Sequence, residues 1–260
     1  MSPIRIAVQI DQQHADYAEL REVALRAEDA GVDSVFNLDP FFPYSGDPTG
    51  KHFEALTMLA SLAEVTERVE LGSLVTGIGY RNPNLLADMA RTIDHISGGR
   101  FILGLGAGWY ERDYREYGYA FPSTPERLRI LRRDVPVIRD RLEHLNPPPL
   151  RRIPILIGGE GERVTLRVVA EHADIWHTYA SGDQLRRKTE ILDRWCAEIG
   201  RDPATIERAT AVYGACKPRV ADELVELGVS LFVIEYTRPP YDFSDLSTWL
   251  RWRDHRNGRT

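Results

Sequence analysis

The residues best suited to bind an anion form a glycine-rich segment in the second half of the chain. Positions 158–163 read Gly-Gly-Glu-Gly-Glu-Arg, between a predicted strand and a predicted helix. Glycine lets the backbone approach a ligand closely, and the N–H groups at a helix start attract negative charge. A phosphate site is therefore predicted at Gly158, Gly159, Glu160, Gly161, Glu162 and Arg163, although a tight strand-to-helix turn explains the local pattern equally well. The Gly-Lys-Ser/Thr of a Walker loop does not follow.

A second glycine-rich segment, Gly104–Gly108, precedes Trp109, Tyr110, Glu111 and Arg112. It lacks the third glycine of a dinucleotide fingerprint in register and the acidic residue about 20 positions further on, which excludes a Rossmann interpretation. Gly106 would allow a cofactor to approach, the two aromatic side chains would enclose a flat ligand, and Arg112 would reach an anion. The alternative is a packed loop with Arg112 in solvent.

Two titratable residues end predicted strands. Asp39 follows the second strand and is held extended by Pro40, and His177 ends the sixth strand. His14 and His52 have weaker claims to this end of the fold, whereas His172 and Asp174 fall at the opposite end. Neither HExxH nor a Cys/His cluster occurs, so no metal site is predicted, and a serine triad is unsupported because G-x-S-x-G is missing.

The elements that must position these residues alternate strictly between strand and helix. We predict eight strands and eight helices at about 32 residues per unit, which favours a (β/α)8 TIM barrel of the α/β class over a doubly wound sheet, with residues 1–260 as a single domain. The long connection 106–122 is predicted to lack an element. The predicted strands are 4–10, 34–38, 70–76, 100–105, 153–157, 174–177, 206–213 and 231–235. The predicted helices are 17–30, 53–65, 82–96, 124–145, 162–172, 184–199, 221–227 and 244–256.

Composition and charge exclude some classes of partner and location. Lys+Arg number 33 against 39 Asp+Glu, so the net charge is −6 and nucleic acid is not an expected partner. No run of 18 apolar residues occurs, so no membrane span is expected. Two cysteines and a start without a signal-peptide pattern favour the cytoplasm.

Several motifs together resemble the bacterial luciferase-like monooxygenase family, and within it the branch that uses the deazaflavin coenzyme F-420. They are residues 31–36, 71–76, 80–83, 97–109 and 154–159. The resemblance implies a luciferase-like barrel, often a homodimer, with a flavin or deazaflavin across its carboxyl end. It also implies a bulge with a non-prolyl cis peptide between Leu74 and Thr76, whose Val75 and Thr76 backbone supports the ring. By the same resemblance the phosphate lies at Gly158–Arg163, Arg112 contacts the cofactor, and Asp39 lies near the ring.

One position departs from that family. Relatives commonly have Asp-His where this chain has Asp39-Pro40, and proline cannot titrate. Proton handling would then fall to His177, Asp39, Tyr44 or Glu111, unless the reaction is a pure hydride transfer. Trp109, Tyr44 and Phe41 are expected to line the substrate side.

The leading hypothesis is an F-420-dependent oxidoreductase that transfers a hydride to or from a small organic substrate. The alternatives are an FMN-dependent monooxygenase that uses O2 and a catalytically degenerate barrel that only binds the cofactor. A phosphosugar isomerase barrel is disfavoured, because no clear Lys or Glu base ends a strand.

Overall fold

The computed structural model describes residues 3–258, which form a closed parallel sheet surrounded by helices. The strands are β1 (Arg5–Ile10), β2 (Ser34–Asn37), β3 (Glu70–Ser73), β4 (Thr76–Gly77), β5 (Phe101–Gly106), β6 (Ile155–Gly158), β7 (Ile175–Thr178), β8 (Glu207–Val212) and β9 (Val229–Tyr236). Their order is β3-β2-β1-β9-β8-β7-β6-β5-β4, and pairing of β3 with β5 closes the ring. The predicted barrel is confirmed.

The helices follow the strands along the chain. They are α1 (Tyr17–Ala30), α2 (Ala55–Val65), α3 (Pro83–Ile96), α4 (Glu111–Glu116), α5 (Thr124–Glu143), α6 (Thr165–His172), α7 (Gly182–Glu198), α8 (Pro218–Glu226) and α9 (Leu246–Arg256). Local sequence explains several of their ends. Asn82 caps α3 by accepting hydrogen bonds from two backbone N–H groups of its first turn, and Gly31 ends α1 with a φ of 93°.

The third barrel position differs from a regular strand. A single strand 70–76 was predicted, but β3 and β4 are separated by Leu74 and Val75, whose peptide bond is cis. Both short strands pair with β5. The interruption and the cis bond expected from the family resemblance are confirmed, and β3 and β4 together occupy one of eight positions.

The connection 106–122 contains a helix that was not predicted. The six residues of α4 are too few to be stable alone, and tertiary burial of Asp113 and Tyr114 holds them in place. Asp113 Oδ2 accepts hydrogen bonds from the hydroxyl of Tyr80 and the N–H of Phe41. The predicted start of α6 at Glu162 is also wrong, since Glu162 and Arg163 lie in a turn and the helix begins at Thr165.

Side chains inside the barrel form layers. The apolar inner layer consists of Ala7, Phe36, Leu74, Ile102, Leu156, Ile175, Ala209, Leu231 and Val233. Because side chains of a strand alternate between its faces, the residue two positions further along each strand also points inward. On β1, β7 and β9 that residue is Gln9, His177 and Glu235. A polar layer therefore covers the apolar one at the carboxyl end of the barrel.

Candidate active site

A cavity of about 530 Å³ opens at the carboxyl ends of the strands, where the active sites of such barrels lie. Its lining brings together residues from every position of the barrel except β8: Gln9, Leu38, Pro40, Tyr44, Leu74, Val75, Gly106, Ala107, Gly108, Trp109, Leu128, Leu131, Gly158, Gly159, Thr165, His177, Tyr179 and Glu235. Of the residues predicted from sequence, this lining includes Leu74, Val75, Gly106, Gly158, Gly159, His177, Tyr44 and Trp109.

The glycines of the neighbouring strands make room for Val75. A Cβ added to Gly106 would lie 2.5 Å from Val75 Cγ2, and one added to Gly158 would lie 3.0 Å from Val75 Cγ1. A Cβ on Gly104 would lie 1.8 Å from the carbonyl oxygen of Ser73. These glycines are therefore needed to make room for the chain's own bulge. From the sequence, Gly106 and Gly158 were instead expected to let a ligand approach the backbone.

Asp39 is buried against the same bulge. Its side chain is 1% exposed, its two oxygens accept from the Arg81 guanidinium at 2.8 Å each, and Oδ2 also accepts from the N–H of Gly77 at 2.9 Å. Arg81 pairs in addition with Glu54. Burial raises the pKa of Asp39 to about 6, and Arg81 and the Gly77 N–H limit the rise. Asp39 is absent from the cavity lining, and its contacts are those of a residue that positions β4.

A buried acid supports the polar layer on β1. Asp11 is fully buried, accepts the Tyr44 hydroxyl at 2.6 Å and accepts the amide nitrogen of Gln9 at 2.9 Å. Burial raises the pKa of Asp11 to about 6, against the effect of these two hydrogen bonds. The other amide atom of Gln9, Oε1, is buried and has no partner among residues 3–258.

Glu235 stands opposite Gln9 in the register of β1 and β9. Its Oε2 accepts the Tyr213 hydroxyl at 3.2 Å, whereas its Oε1 has no partner within the described chain. Burial raises the pKa of Glu235, and hydrogen bonds from Tyr179 and Tyr213 oppose that rise. The lining of the cavity therefore includes a carboxyl group with one buried oxygen that has no partner among the described residues.

His177 completes the polar layer. It is 2% exposed, and its Nε2 finds no hydrogen-bond partner in the part of the chain that the structure describes. Burial lowers the pKa of His177 to about 4, so the ring is neutral at pH 7. A neutral imidazole can accept a proton or a hydrogen bond at one nitrogen and donate at the other.

In the loop after β6, several charged side chains already have partners, whereas backbone N–H groups do not. Glu160 accepts from the Thr178 hydroxyl and the Tyr179 N–H, and the buried Lys188 donates to the Glu160 carbonyl at 2.9 Å. Glu162 pairs with Arg187. In contrast, the N–H groups of residues 161–165 donate to no acceptor within residues 3–258. Any anion held here would be bound by these amides, as at other helix starts.

The structure places three predicted residues away from the cavity. Glu111 is exposed at the first turn of α4, because the buried side of that helix is formed by Asp113 and Tyr114. The Arg112 guanidinium lies 4.1 Å from the Phe42 ring and donates to the Pro48 carbonyl. Phe41 packs on Tyr80 and Tyr117. The cavity lining therefore includes none of Phe41, Glu111 and Arg112.

Three other predicted residues lie beside the cavity without lining it. Thr76 is fully buried in β4, and the loop residues Gly161 and Arg163 are exposed. Arg163 borders a separate cleft with Arg194 and Glu198. His14 Nε2 donates to the Ser45 carbonyl and His52 Nε2 donates to the Pro40 carbonyl, and neither histidine lines the cavity.

Five residues in or beside the cavity were not predicted from the sequence: Gln9, Asp11, Tyr179, Tyr213 and Glu235. A signal for two of them was present: Gln9 and Glu235 are polar and follow the inward apolar residues Ala7 and Val233 by two positions on their strands. A polar side chain at such a position must find a partner or a ligand. Asp11, Tyr179 and Tyr213 lie beyond the ends of their strands, where alternation no longer predicts direction.

The model for the luciferase-like monooxygenase family matches residues 1–241. The chain belongs to the luciferase-like monooxygenase family. This confirms the predicted family, and the barrel and its interrupted third strand are those that the resemblance implied.

Relatives of this luciferase-like chain include two curated actinobacterial proteins. An F-420-dependent glucose-6-phosphate dehydrogenase of Amycolatopsis mediterranei is 36% identical over 47% of this chain and 37% of its own length. A putative coenzyme F-420-dependent oxidoreductase of Mycobacterium tuberculosis is 32% identical over 60% of this chain and 49% of its own. The chain thus spans about half, or less, of the length of these relatives.

A solved F-420-dependent secondary alcohol dehydrogenase, in complex with an F-420-acetone adduct, has the same fold. Its TM-score is 0.85 at 18% identity, over 96% of this chain and 98% of that one. No helix within residues 3–258 of the luciferase-like chain is long and apolar enough to cross a membrane. In the same residues no cluster of three His, Cys, Asp or Glu side chains could hold a metal ion.

Proposed function

We propose that the protein binds coenzyme F-420 in the cavity at the carboxyl end of the barrel and transfers a hydride to or from a small organic substrate. The observation that carries this proposal is the combination of a ring-sized cavity, the Leu74–Val75 bulge that lines it, and the unpaired amides of residues 161–165 beside it. The names of the two curated relatives support it.

The chain's residues fit such a cofactor. Leu74 and Val75 would support one face of the deazaflavin ring, and Asp39 would act through Gly77 to keep that backbone in place. The amides of residues 161–165 would hold the phosphate, and the nearby Lys188 and Arg163 would add positive charge. The cofactor itself would supply the hydride acceptor or donor, since such chemistry belongs to the cofactor rather than to side chains.

Any proton transfer must use groups other than the histidine that relatives commonly have at the position of Pro40. Pro40 lines the cavity but cannot titrate. His177 and Glu235 both line the cavity and each has a polar atom without a partner, so we assign proton transfer to this pair. Glu111 is exposed and Asp39 is occupied by Arg81, which leaves neither with a direct role in this proposal.

Titration with F-420 and with FMN, followed by fluorescence quenching, tests the proposal. F-420 should bind with a dissociation constant near ~1 μM, about 8 kcal/mol of binding free energy, and more tightly than FMN. Failure of both to bind at tens of micromolar would refute a cofactor site. Tighter binding of FMN with O2 uptake by the reduced complex would favour the monooxygenase, and F-420 binding without turnover across alcohols and carbonyl compounds would favour a degenerate barrel.

A pair of substitutions at Gly161 tests the phosphate location. A Cβ at this position would lie 2.7 Å from Thr165 Oγ1, and Gly161→Ala and Gly161→Asp both introduce this Cβ contact. Only aspartate adds negative charge beside the helix start, where it would repel a phosphate. We expect Gly161→Asp to weaken F-420 binding by about tenfold more than Gly161→Ala. Equal affinities of the two variants would refute the location.

The homodimer and the cytoplasmic location stay predictions. Sedimentation of the purified protein would test the first, with a mass near twice 29.6 kDa expected.

A further inference from the structure

Two side chains of α7 hold backbone carbonyl groups of the loop after β6. The Lys188 ammonium donates to the carbonyl oxygen of Glu160 at 2.9 Å, and the indole N–H of Trp195 donates to the carbonyl oxygen of Glu162 at 2.9 Å. Lys188 and Trp195 are about two helical turns apart on α7, so they lie on one face of it. Both donors therefore reach the loop from the same side.

A third donor to this loop comes from the barrel. The indole N–H of Trp176, a fully buried residue of β7, donates to the carbonyl oxygen of Gly159 at 2.9 Å. The carbonyl groups of residues 159, 160 and 162 are thus each occupied by a side-chain donor. In contrast, the N–H groups of residues 161–165 find no acceptor among residues 3–258.

The planarity of the peptide bond connects these two observations. In a trans peptide, the C=O of one residue and the N–H of the next lie in one plane and point in opposite directions. The cis peptides of the described chain lie outside this loop. The donor that holds the Glu160 carbonyl therefore directs the Gly161 N–H away from α7, and the donor that holds the Glu162 carbonyl does the same for the Arg163 N–H.

The partners that the described chain offers to Lys188 all belong to this loop. The Lys188 side chain is 8% exposed, and its Nζ lies 3.8 Å from Glu160 Oε2 and 3.9 Å from Glu162 Oε1, in addition to its hydrogen bond with the Glu160 carbonyl. A buried ammonium group is unfavourable unless it is paired and hydrogen-bonded. The lysine is therefore stabilised only while the loop keeps this path, which couples the loop conformation to α7.

We propose that Lys188 and Trp195 are positioning residues for a phosphate. They hold two loop carbonyls on the α7 side, so that the N–H groups of Gly161 and Arg163 are presented together to the anion. The proposal rests on the proposed function and deepens it, because it names residues that keep the phosphate site formed without touching the phosphate. N–H groups that are already oriented bind an anion without a further ordering cost, so loss of a carbonyl donor should weaken binding.

Two variants each remove one donor, and fluorescence quenching measures their affinities. Lys188→Met loses the ammonium group and should weaken F-420 binding by about tenfold or more. Trp195→Phe keeps an aromatic ring, changes no charge and should weaken it about fivefold. The second ligand is the deazariboflavin that has the coenzyme's ring and ribityl chain but no phosphate, and its affinity should change by less than about twofold. Equal losses for both ligands would show general damage to the fold and would overturn the proposal.

Two controls separate positioning from charge and from the loss of an indole hydrogen bond elsewhere. Arg187→Met removes a cation that is 69% exposed and donates to the Glu162 side chain at 3.0 Å rather than to a backbone carbonyl. Trp249→Phe removes an indole hydrogen bond of 2.8 Å to the carbonyl of Gly214. Both should leave the affinity for F-420 within about twofold of wild type. A loss in Arg187→Met as large as that in Lys188→Met would show that charge alone acts, which would contradict the positioning role.

Inorganic phosphate separates this proposal from the proposed function. Titrated into the isotope-labelled chain without F-420, it should shift the NMR signals of the Gly161 and Arg163 amides, and the Lys188→Met and Trp195→Phe variants should need about five- to tenfold more phosphate. Should F-420 fail to bind while this pattern holds, the proposed function fails and the positioning role stands. Should F-420 bind while both variants keep wild-type affinities, the proposed function stands and the positioning role fails. A thermal melt reports whether each variant has folded, and Trp195→Phe decides the outcome if Lys188→Met does not fold.

Discussion

Replacement of Arg81 by glutamine should strongly destabilise the barrel at neutral pH. Arg81 donates both hydrogen bonds that neutralise the buried Asp39 carboxylate, and its own side chain is 8% exposed. Removing one partner of a buried ion pair leaves the other uncompensated, which typically costs 3–5 kcal/mol, or about 4 kcal/mol here. Glu54 also loses this partner, but it is 36% exposed and water can solvate it.

The penalty should fall as the pH is lowered. Loss of an adjacent positive charge typically raises the pKa of an acid by one to three units, and the pKa of Asp39 starts at about 6. An acid whose folded-state pKa is raised destabilises the fold above that pKa, and protonation relieves the cost below it. With a rise of about two units, about 2 kcal/mol of the penalty should be recovered between pH 7.5 and pH 5.

Urea unfolding followed by tryptophan fluorescence at the two pH values measures this effect. Arg219→Gln is the matched control, because Arg219 pairs with Glu223 on the surface at 92% exposure and should contribute less than about 0.5 kcal/mol. A loss below about 1 kcal/mol for Arg81→Gln at pH 7.5, or equal losses at pH 7.5 and pH 5, would refute the role given to this pair.

Two further changes test the bulge and the buried acid on β1. Gly106→Ala places a methyl group 2.5 Å from Val75 Cγ2 and should lower the free energy of unfolding by about 1–3 kcal/mol. The double variant with Val75→Ala should recover most of this loss in urea unfolding. Full additivity of the two changes would exclude this contact. Asp11→Asn should flatten the pH dependence of stability between about pH 4 and pH 6. The Asp11 carboxyl takes up a proton on folding in that window, because its pKa rises from 3.8 to about 6. The stability that wild type loses on raising the pH through this window is about 2 kcal/mol. Parallel urea midpoints for the two proteins at pH 4.5, 5.5 and 6.5 would contradict this.

The barrel follows from local sequence alone. Regular alternation of period-two and period-3.6 segments predicts parallel strands with helical crossovers, and caps such as Asn82 and Gly31 mark where helices begin and end. These signals depend on residues near one another in the chain, which is why they can be read without the fold. The glycines at the end of the third strand, Gly77 and Gly79, indicate a bulge there, and the family resemblance added its location beside Leu74 and Val75.

Helix α4 could not be predicted in the same way. Its six residues gain their stability from Asp113 and Tyr114, which contact Tyr80 and Phe121 on other segments. The position of Glu111 depends on this helix, because burial of its other face turns Glu111 outward. Residue type and loop position alone therefore could not show that Glu111 is exposed.

The sequence by itself determined the fold and the end of the barrel that holds the candidate site, and it predicted His177 and the glycine-rich strand ends, which line the cavity there. Tertiary structure decided what each group is available to do. It paired Asp39 with Arg81, filled the space beside Gly106 with Val75, and brought Glu235 opposite Gln9 with an unpaired oxygen on each. The reason is that availability depends on partners distant in sequence, and the residue type alone does not show whether a carboxylate is bound by a guanidinium or has an oxygen without a partner.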